Sequence, residues 1–298
     1  MTNKKIFCFT HYDLDGAISY LVTKWAHPGY KIECEALTGI DFRYEFQQWR
    51  LKHDFLDYEK VFFLDLDVSD QKDIIDKKNV IIIDHHKTHV DHMKYEKAVA
   101  LVKEYPSACL LAYRVFKKLY NTKFTNEQKK LIIYGNDYDS YTNELIESRM
   151  LNVIFWNTQK SFKSFLENYS NGFKEFTKEQ NAIFKIYETH LIETIKSLKV
   201  FRGIYADVDG ESRLIVATFI NGQSPNDISD YLLKEYEADM TAIVNLKTKH
   251  ISFRRPKTGT MRLDVFAKDY ADGGGHEYSA GGVITSEFLN FTKTLKPI

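Results

Sequence analysis

The chain has 298 residues, 44% of them hydrophobic and 28% charged, with 41 Lys+Arg against 41 Asp+Glu. That length allows two cores, because single cores stop growing at roughly 250–300 residues. The formal net charge of zero argues against a protein that grips long duplex nucleic acid, which needs a basic excess. It favours a small substrate held in a local pocket.

The opening MTNKKIFCFTHYDLDG holds one short apolar stretch before a charged cluster. This is too short for a signal peptide, and no run approaches the ~20 residues that span a bilayer. Cys8, Cys34 and Cys109 are scattered and odd in number, so no disulfide framework is expected and a reducing compartment is. A cytoplasmic protein with no membrane partner follows.

In chain order, Ile6 to Thr10 predicts a short strand. Ala17 to Ala26 predicts a helix, since Ile18, Leu21, Val22 and Trp25 recur on one face. Lys31 to Leu37 alternates as a strand does. Val61–Leu64 and Val80–Ile83 are continuous apolar runs, the mark of strands buried on both faces of a parallel sheet. Pro106-Ser107 starts a helix carrying Leu110, Leu111, Val115, Phe116 and Leu119. From Asn143 to Leu198 the pattern is helical, without proline. After Gly203 it changes to hairpins: Val208-Asp209-Gly210 is a turn between two strand-like runs, and Asp239–Leu246 with His250–Arg255 forms a second pair. A Gly-rich segment, Gly273 to Gly282, follows. The fold class expected is α/β: a parallel-sheet N-terminal domain ending in a helical connector (1–190), then a smaller α+β C-terminal domain (191–298).

Chemistry-bearing residues collect at strand ends. His11-Tyr12-Asp13-Leu14-Asp15-Gly16 follows the first strand, Asp65-Leu66-Asp67-Val68-Ser69 follows Val61–Leu64, and Asp84-His85-His86 follows Val80–Ile83. In open parallel sheets the carboxyl edge is where ligands bind. Buried charges cost several kcal/mol unless paired or metal-bound, so this many acids on one edge require a cation. Carboxylate with imidazole suits manganese, zinc or iron better than calcium. Asn136-Asp137-Tyr138-Asp139 adds two acids after a helical stretch. Asp272-Gly273-Gly274-Gly275-His276 reads as an anion-binding loop, whose glycines let backbone N–H groups approach closely. His89 and His92 read as a solvated helix face, and Arg255 and Lys257 as substrate contacts or as the solvated side of a hairpin.

The ordered set THYDLDG, a strand ending in Asp, IIIDHH, a downstream Asp pair and GGGH resembles the DHH family of phosphoesterases, in the branch with a DHH-associated C-terminal domain. That branch includes RecJ-type exonucleases, nanoRNases and cyclic-dinucleotide phosphodiesterases. The resemblance spans residues 6 to 282. It implies two divalent metal ions, most often Mn2+, with His11 and Asp13 on one and Asp15 and His85 on the other. Asp67 bridges them, preferred over Asp65 for the Asp-x-Ser pattern, and Asp137, preferred over Asp139, completes the second. By the same resemblance Asp84 would orient a metal-ligand histidine and His86 would face the phosphate. Ser252-Phe253-Arg254 resembles the family's Ser-x-Arg strand, so Arg254 grips a phosphate, and Gly273, Gly274, Gly275 and His276 hold the terminal one.

The activity implied is Mn-dependent hydrolysis of short oligonucleotides to mononucleotides by metal-activated water. The alternatives are a cyclic-dinucleotide or 3′-phosphoadenosine-nucleotide phosphoesterase, or a nucleotide-binding protein that does not hydrolyse. The partner expected is a nucleotide or short oligonucleotide, and a homodimer is compatible with the reading. Two features depart from the family: His11 precedes Asp13 by two residues where some members have four, and Asp65 and Asp67 offer one acid more than needed.

Overall fold

The apolar runs become the centre of a five-stranded parallel sheet in the computed structural model, which describes residues 4–92, 94–142, 144–207, 210–222 and 224–298. Two compact units divide the chain, residues 1–185 and 186–298. In the first, β1 (Lys5–His11), β2 (Lys31–Leu37), β3 (Lys60–Leu64), β4 (Val80–Asp84) and β5 (Val99–Val102) line up in the order β2-β1-β3-β4-β5. The chain therefore reverses its direction across the sheet between β1 and β3, the topological switch where open α/β sheets place ligands.

Strand alternation sends Ile6 and Cys8 of β1 into one core and Phe7 and Phe9 into the other. The first core is covered by α1 (Leu14–Ala26), α5 (Ala108–Leu119), α6 (Asn126–Asp139), α7 (Ile146–Asn157) and α8 (Ser161–Asn168). Beneath the second lies α2 (Gly39–Arg50), whose Phe42, Phe46 and Trp49 are buried. The short α3 (Lys72–Ile75) and α4 (Lys87–His92) precede and follow β4. Neither α2 nor β5 was expected from the sequence, since α2 is interrupted by polar residues and β5 is only four residues long. Helix α1 starts three residues earlier than its apolar face predicted, because Asp13 caps it by accepting from Gly16 N at 2.9 Å. Helix α9 (Lys178–Ser197) runs across the boundary between the units.

The second unit holds a seven-stranded sheet, order β10-β11-β9-β8-β7-β6-β12. Its strands are β6 (Val200–Ala206), β7 (Ser212–Ile220), β8 (Met240–Asn245), β9 (His250–Arg254), β10 (Gly274–His276), β11 (Ser279–Val283) and β12 (Lys296–Pro297). Between them come α10 (Pro225–Glu235), α11 (Leu263–Ala271) and α12 (Ser286–Thr292). β6 pairs antiparallel with β7, and β8 with β9; Val208 and Asp209 of the expected turn lie outside the described residues. A run of hairpins is nevertheless too simple, because β7 and β8 are parallel and α10 makes the crossover. No described helix is long and apolar enough to cross a membrane.

Candidate metal centre

At the carboxyl edge of the first sheet, β1 delivers His11 and the start of α1 delivers Asp13 and Asp15. Asp13 faces His11, Oδ2 to Nδ1 at 2.7 Å. A methyl group on Gly16 would lie 2.1 Å from the His11 carbonyl oxygen, so this turn requires glycine. Asp15 is buried, and its two oxygens accept from Ala108 N at 2.7 Å and Cys109 N at 2.9 Å. Those are the first N–H groups of α5, whose positive end favours a carboxylate.

Asp65 follows β3 directly, buried and with φ of 57°. A left-handed non-glycine residue costs roughly 1–3 kcal/mol, and such strain collects at ligand sites. One Asp65 oxygen lies 3.4 Å from His85 Nε2 and the other 3.8 Å from His11 Nδ1. His85 Nε2 is also 3.5 Å from Asp139 and 3.8 Å from Asp15. On the other side of its ring, His85 Nδ1 sits 3.0 Å from the Tyr105 carbonyl oxygen. A carbonyl only accepts, so Nδ1 carries a proton and Nε2 is the ring atom turned to the acids, the one a metal would take.

Three expected placements are corrected. Asp67 turns away: its carboxylate accepts from Ser69 N at 3.0 Å, Ser69 Oγ at 2.7 Å and Thr88. Asp65 instead faces His11 and His85. Asp137 accepts from Glu144 N and Leu145 N, both at 3.1 Å, and so ties down the loop after α6. Asp139 reaches the cluster instead. It lies one turn beyond Gly135, whose added Cβ would meet Ile18 and Cys109, so Gly135 and Asp139 share the face that packs on α1 and α5. Asp84 holds His86 rather than His85: its oxygens take His86 Nδ1 and His89 Nδ1, both at 2.7 Å, and His86 lies within ligand distance of Asp65 and His85. His89, expected in solvent, is fully buried; His92 is exposed.

Electrostatics show what such a cluster lacks. Burial, with repulsion from Asp15 and Asp13, pushes the Asp65 carboxyl up to about 7. Burial and Asp15 push Asp139 well above the carboxylate range, and burial also raises Asp15. Burial acts to lower His85, but Asp65, Asp139 and Asp15 outweigh it and hold its imidazolium up to about 12. His11, likewise opposed by burial, is lifted by Asp13 to about 10, while Asp13, which burial alone would raise, is brought down to about 2 by His11. Without a cation, protons perform the neutralisation.

The donor set fits metal. The Oδ2 atoms of Asp65 and Asp139 are buried without a hydrogen-bond partner, and a native structure seldom leaves such atoms unexplained. Among the described residues, ligand atoms lie within 4.8 Å of one another in three groups: His11–Asp13–Asp65, Asp15–His85–Asp139 and Asp65–His85–His86. Asp65 belongs to the first and third, and faces the second through His85.

The second unit supplies the other expected residues. Arg254, at the end of β9, donates from Nε at 3.1 Å and Nη2 at 2.7 Å to the Asn226 side-chain oxygen, and from Nη1 to the Phe253 and Ala280 carbonyls. Asn226, in the first turn of α10, was not foreseen. The glycines do not form an open loop but belong to the β10–β11 hairpin at the edge of the sheet. Gly273 N donates to Ala267 O at 3.1 Å, closing α11 after left-handed Asp272, so it is not available to an anion. Gly275 has φ of 138°, and side chains at 273 or 275 would strike the β11 backbone; Gly274 borders open space. His276 stacks on Tyr278 with ring centroids 5.5 Å apart.

Residues 5–136 match the DHH family, N-terminal domain, so the family match lies within the first unit. No curated protein sequence matches it. Among solved structures it is similar to the pGpG-specific phosphodiesterase PggH from Vibrio cholerae, with 12% identity, TM-score 0.58, and 97% of this chain and 96% of that one covered. An exopolyphosphatase-related protein from Bacteroides fragilis gives 14% identity, TM-score 0.58, and coverage of 98% and 91%. An exonuclease RecJ bound to manganese gives 13%, TM-score 0.55, and coverage of 98% and 88%. At these identities the shared property is the fold.

Proposed function

We propose that this DHH-family phosphoesterase hydrolyses phosphodiester bonds in nucleotides and short oligonucleotides, releasing mononucleotides, with two divalent cations held at the carboxyl edge of the first sheet. The observation that carries the reading is the convergence of His11, Asp13, Asp15, Asp65, His85 and Asp139, with two buried carboxylate oxygens unpartnered. His11 and Asp13 would hold one cation, Asp15, His85 and Asp139 the other, and Asp65 would reach both. The bound ions would supply an activated water and neutralise charge gathering on the phosphate. Asp15 is oriented by the α5 backbone and His85 by Tyr105, so their oxygen and nitrogen directions are fixed before a ligand arrives. His86, held through Nδ1 by Asp84, keeps Nε2 for a phosphate oxygen. In the second unit, Arg254 and His276 are the residues proposed to bind a substrate phosphate, and Gly274, two residues before His276, borders open space.

The choice of substrate follows from the neutral charge balance and from the fold neighbours, one a pGpG-specific phosphodiesterase and another a RecJ exonuclease. Manganese is the first metal to test, since one RecJ structure holds it. The deciding experiment is digestion of a labelled ladder from dinucleotide upward, as RNA and as DNA, with Mn2+ and with EDTA, beside cyclic dinucleotides and 3′-phosphoadenosine nucleotides. Mn-dependent release of mononucleotides, fastest from the shortest linear species, is expected. Tight nucleotide binding with no product in Mn2+ would overturn the proposal.

A further inference from the structure

Asp65 and Asp139 each bury a carboxylate oxygen without a hydrogen-bond partner, whereas Asp84 has a histidine on both of its oxygens. It lies at the end of β4 with no exposed surface, and each oxygen accepts one imidazole Nδ1–H, from His86 and from His89. His89 is equally buried and lies in α4, where its backbone N–H returns to the His86 carbonyl at 3.1 Å. Its far nitrogen, Nε2, meets the Tyr95 hydroxyl at 2.8 Å, and the two rings lie edge to face. The result is a chain of three short hydrogen bonds, Tyr95–His89–Asp84–His86, each link with its partner supplied by protein.

Chemistry assigns directions to most of this chain. An ionised carboxylate only accepts, so both Nδ1 atoms donate to Asp84. The proton on His86 Nδ1 leaves Nε2 as that ring's free end. With Oδ2 unpaired, the Asp84 carboxylate could turn about its terminal torsion, which is broad and roughly two-fold. His89 removes that freedom, and Tyr95 in turn fixes His89.

We propose that His89 and Tyr95 are positioning residues that lock the Asp84 carboxylate and thereby aim His86 at the phosphate. This rests on the reading of His86 as the residue facing a phosphoester, yet the lock itself exists in the metal-free chain and can be measured there. The test uses the full chain with His89→Leu, His89→Asn and Tyr95→Phe. Asn can present its amide N–H where Nδ1–H stood, and Leu cannot. In ¹⁵N-labelled metal-free protein, the His86 Nδ1–H resonance should be sharp in wild type, broadened or lost in His89→Leu, and restored in His89→Asn. With Mn2+ and the 5′-phosphorylated dinucleotide pApA, kcat should fall about 30-fold in His89→Leu, less than fivefold in His89→Asn and about threefold in Tyr95→Phe. KM and Mn2+ affinity should stay within twofold.

An unchanged His86 signal in folded His89→Leu, or equal losses in the Leu and Asn variants, would overturn the lock. If His89→Leu does not fold, Tyr95→Phe with wild-type signal and kcat would overturn it alone. A wild-type chain that cleaves nothing would instead overturn the phosphoesterase reading and leave the resonance test to decide the lock.

Discussion

The acid cluster of the first sheet and the arginine pair of the second are opposite solutions to burying charge. Around Asp65, carboxylates approach one another, a residue sits at φ of 57°, and two buried oxygens lack partners. Around Arg255, which is 8% exposed, every interaction closes on protein: Nε donates to the Glu277 carbonyl, and Nη1 to the carbonyls of Pro256, Lys257 and Gly259. Arg254 beside it is part-way between, with most of its fork on Asn226 and backbone carbonyls. A satisfied buried charge builds the fold. An unsatisfied one marks where something else must bind.

The sharpest way to break this contrast is Asp65→Asn, which should cost at least about 1000-fold in kcat/KM, or ~4 kcal/mol of barrier, while the metal-free melting temperature stays level or rises. Activity near wild type would remove Asp65 from the centre. Asp67→Ala should lose less than about tenfold, because its oxygens serve Ser69 and Thr88. Mn2+ at a hundredfold excess over Kd should stabilise the first unit by about 2.7 kcal/mol per site, a rise of roughly 5–10 °C that EDTA abolishes and Asp65→Asn blunts. An Mn2+-independent melting curve would contradict the cluster's need for a cation. Arg254→Ala should raise KM about tenfold with little change in kcat. Arg255→Ala should leave both alone and destabilise the second unit by about 2–4 kcal/mol, since several carbonyls lose their donor. Equal kinetic effects of the two arginines would erase the distinction. The smallest effect is expected of Asp137→Asn, about 1 kcal/mol of stability from a weakened loop anchor, seen in denaturant midpoints.

Much of the site is legible in the amino-acid sequence because parallel strands buried on both faces appear as apolar runs, and the residue after each run must lie at the carboxyl edge. That rule gathers the clusters around Asp13 and His85 at one edge, and the resemblance to the DHH family implies which members would be ligands. Choosing between neighbouring acids requires direction, which spacing does not carry. The turn at Asp65 reverses which of Asp65 and Asp67 faces inward, and the only sequence signal is that Asp65 follows Leu64 immediately. For Asp137 and Asp139 the signal was present in Gly135: a glycine within a helix marks a close face, and Asp139 is one turn along it. His89 was misassigned because its partner, Asp84, is five residues away and the intervening helix has no apolar stripe. α2 escaped because its buried aromatics, Phe42, Phe46 and Trp49, are separated by charged and amide residues.

Asp15 rests both carboxylate oxygens on the amino end of α5, and that helix is itself seated in the core through Cys109, Leu111, Ala112 and Phe116. The proposed cation site is thereby tied to apolar packing within α5, far from Asp15 along the sequence. A cavity cut beneath α5, as by Phe116→Ala, is expected to tilt the cradle before it melts the sheet, so cations bound there would leave a chain that is still folded.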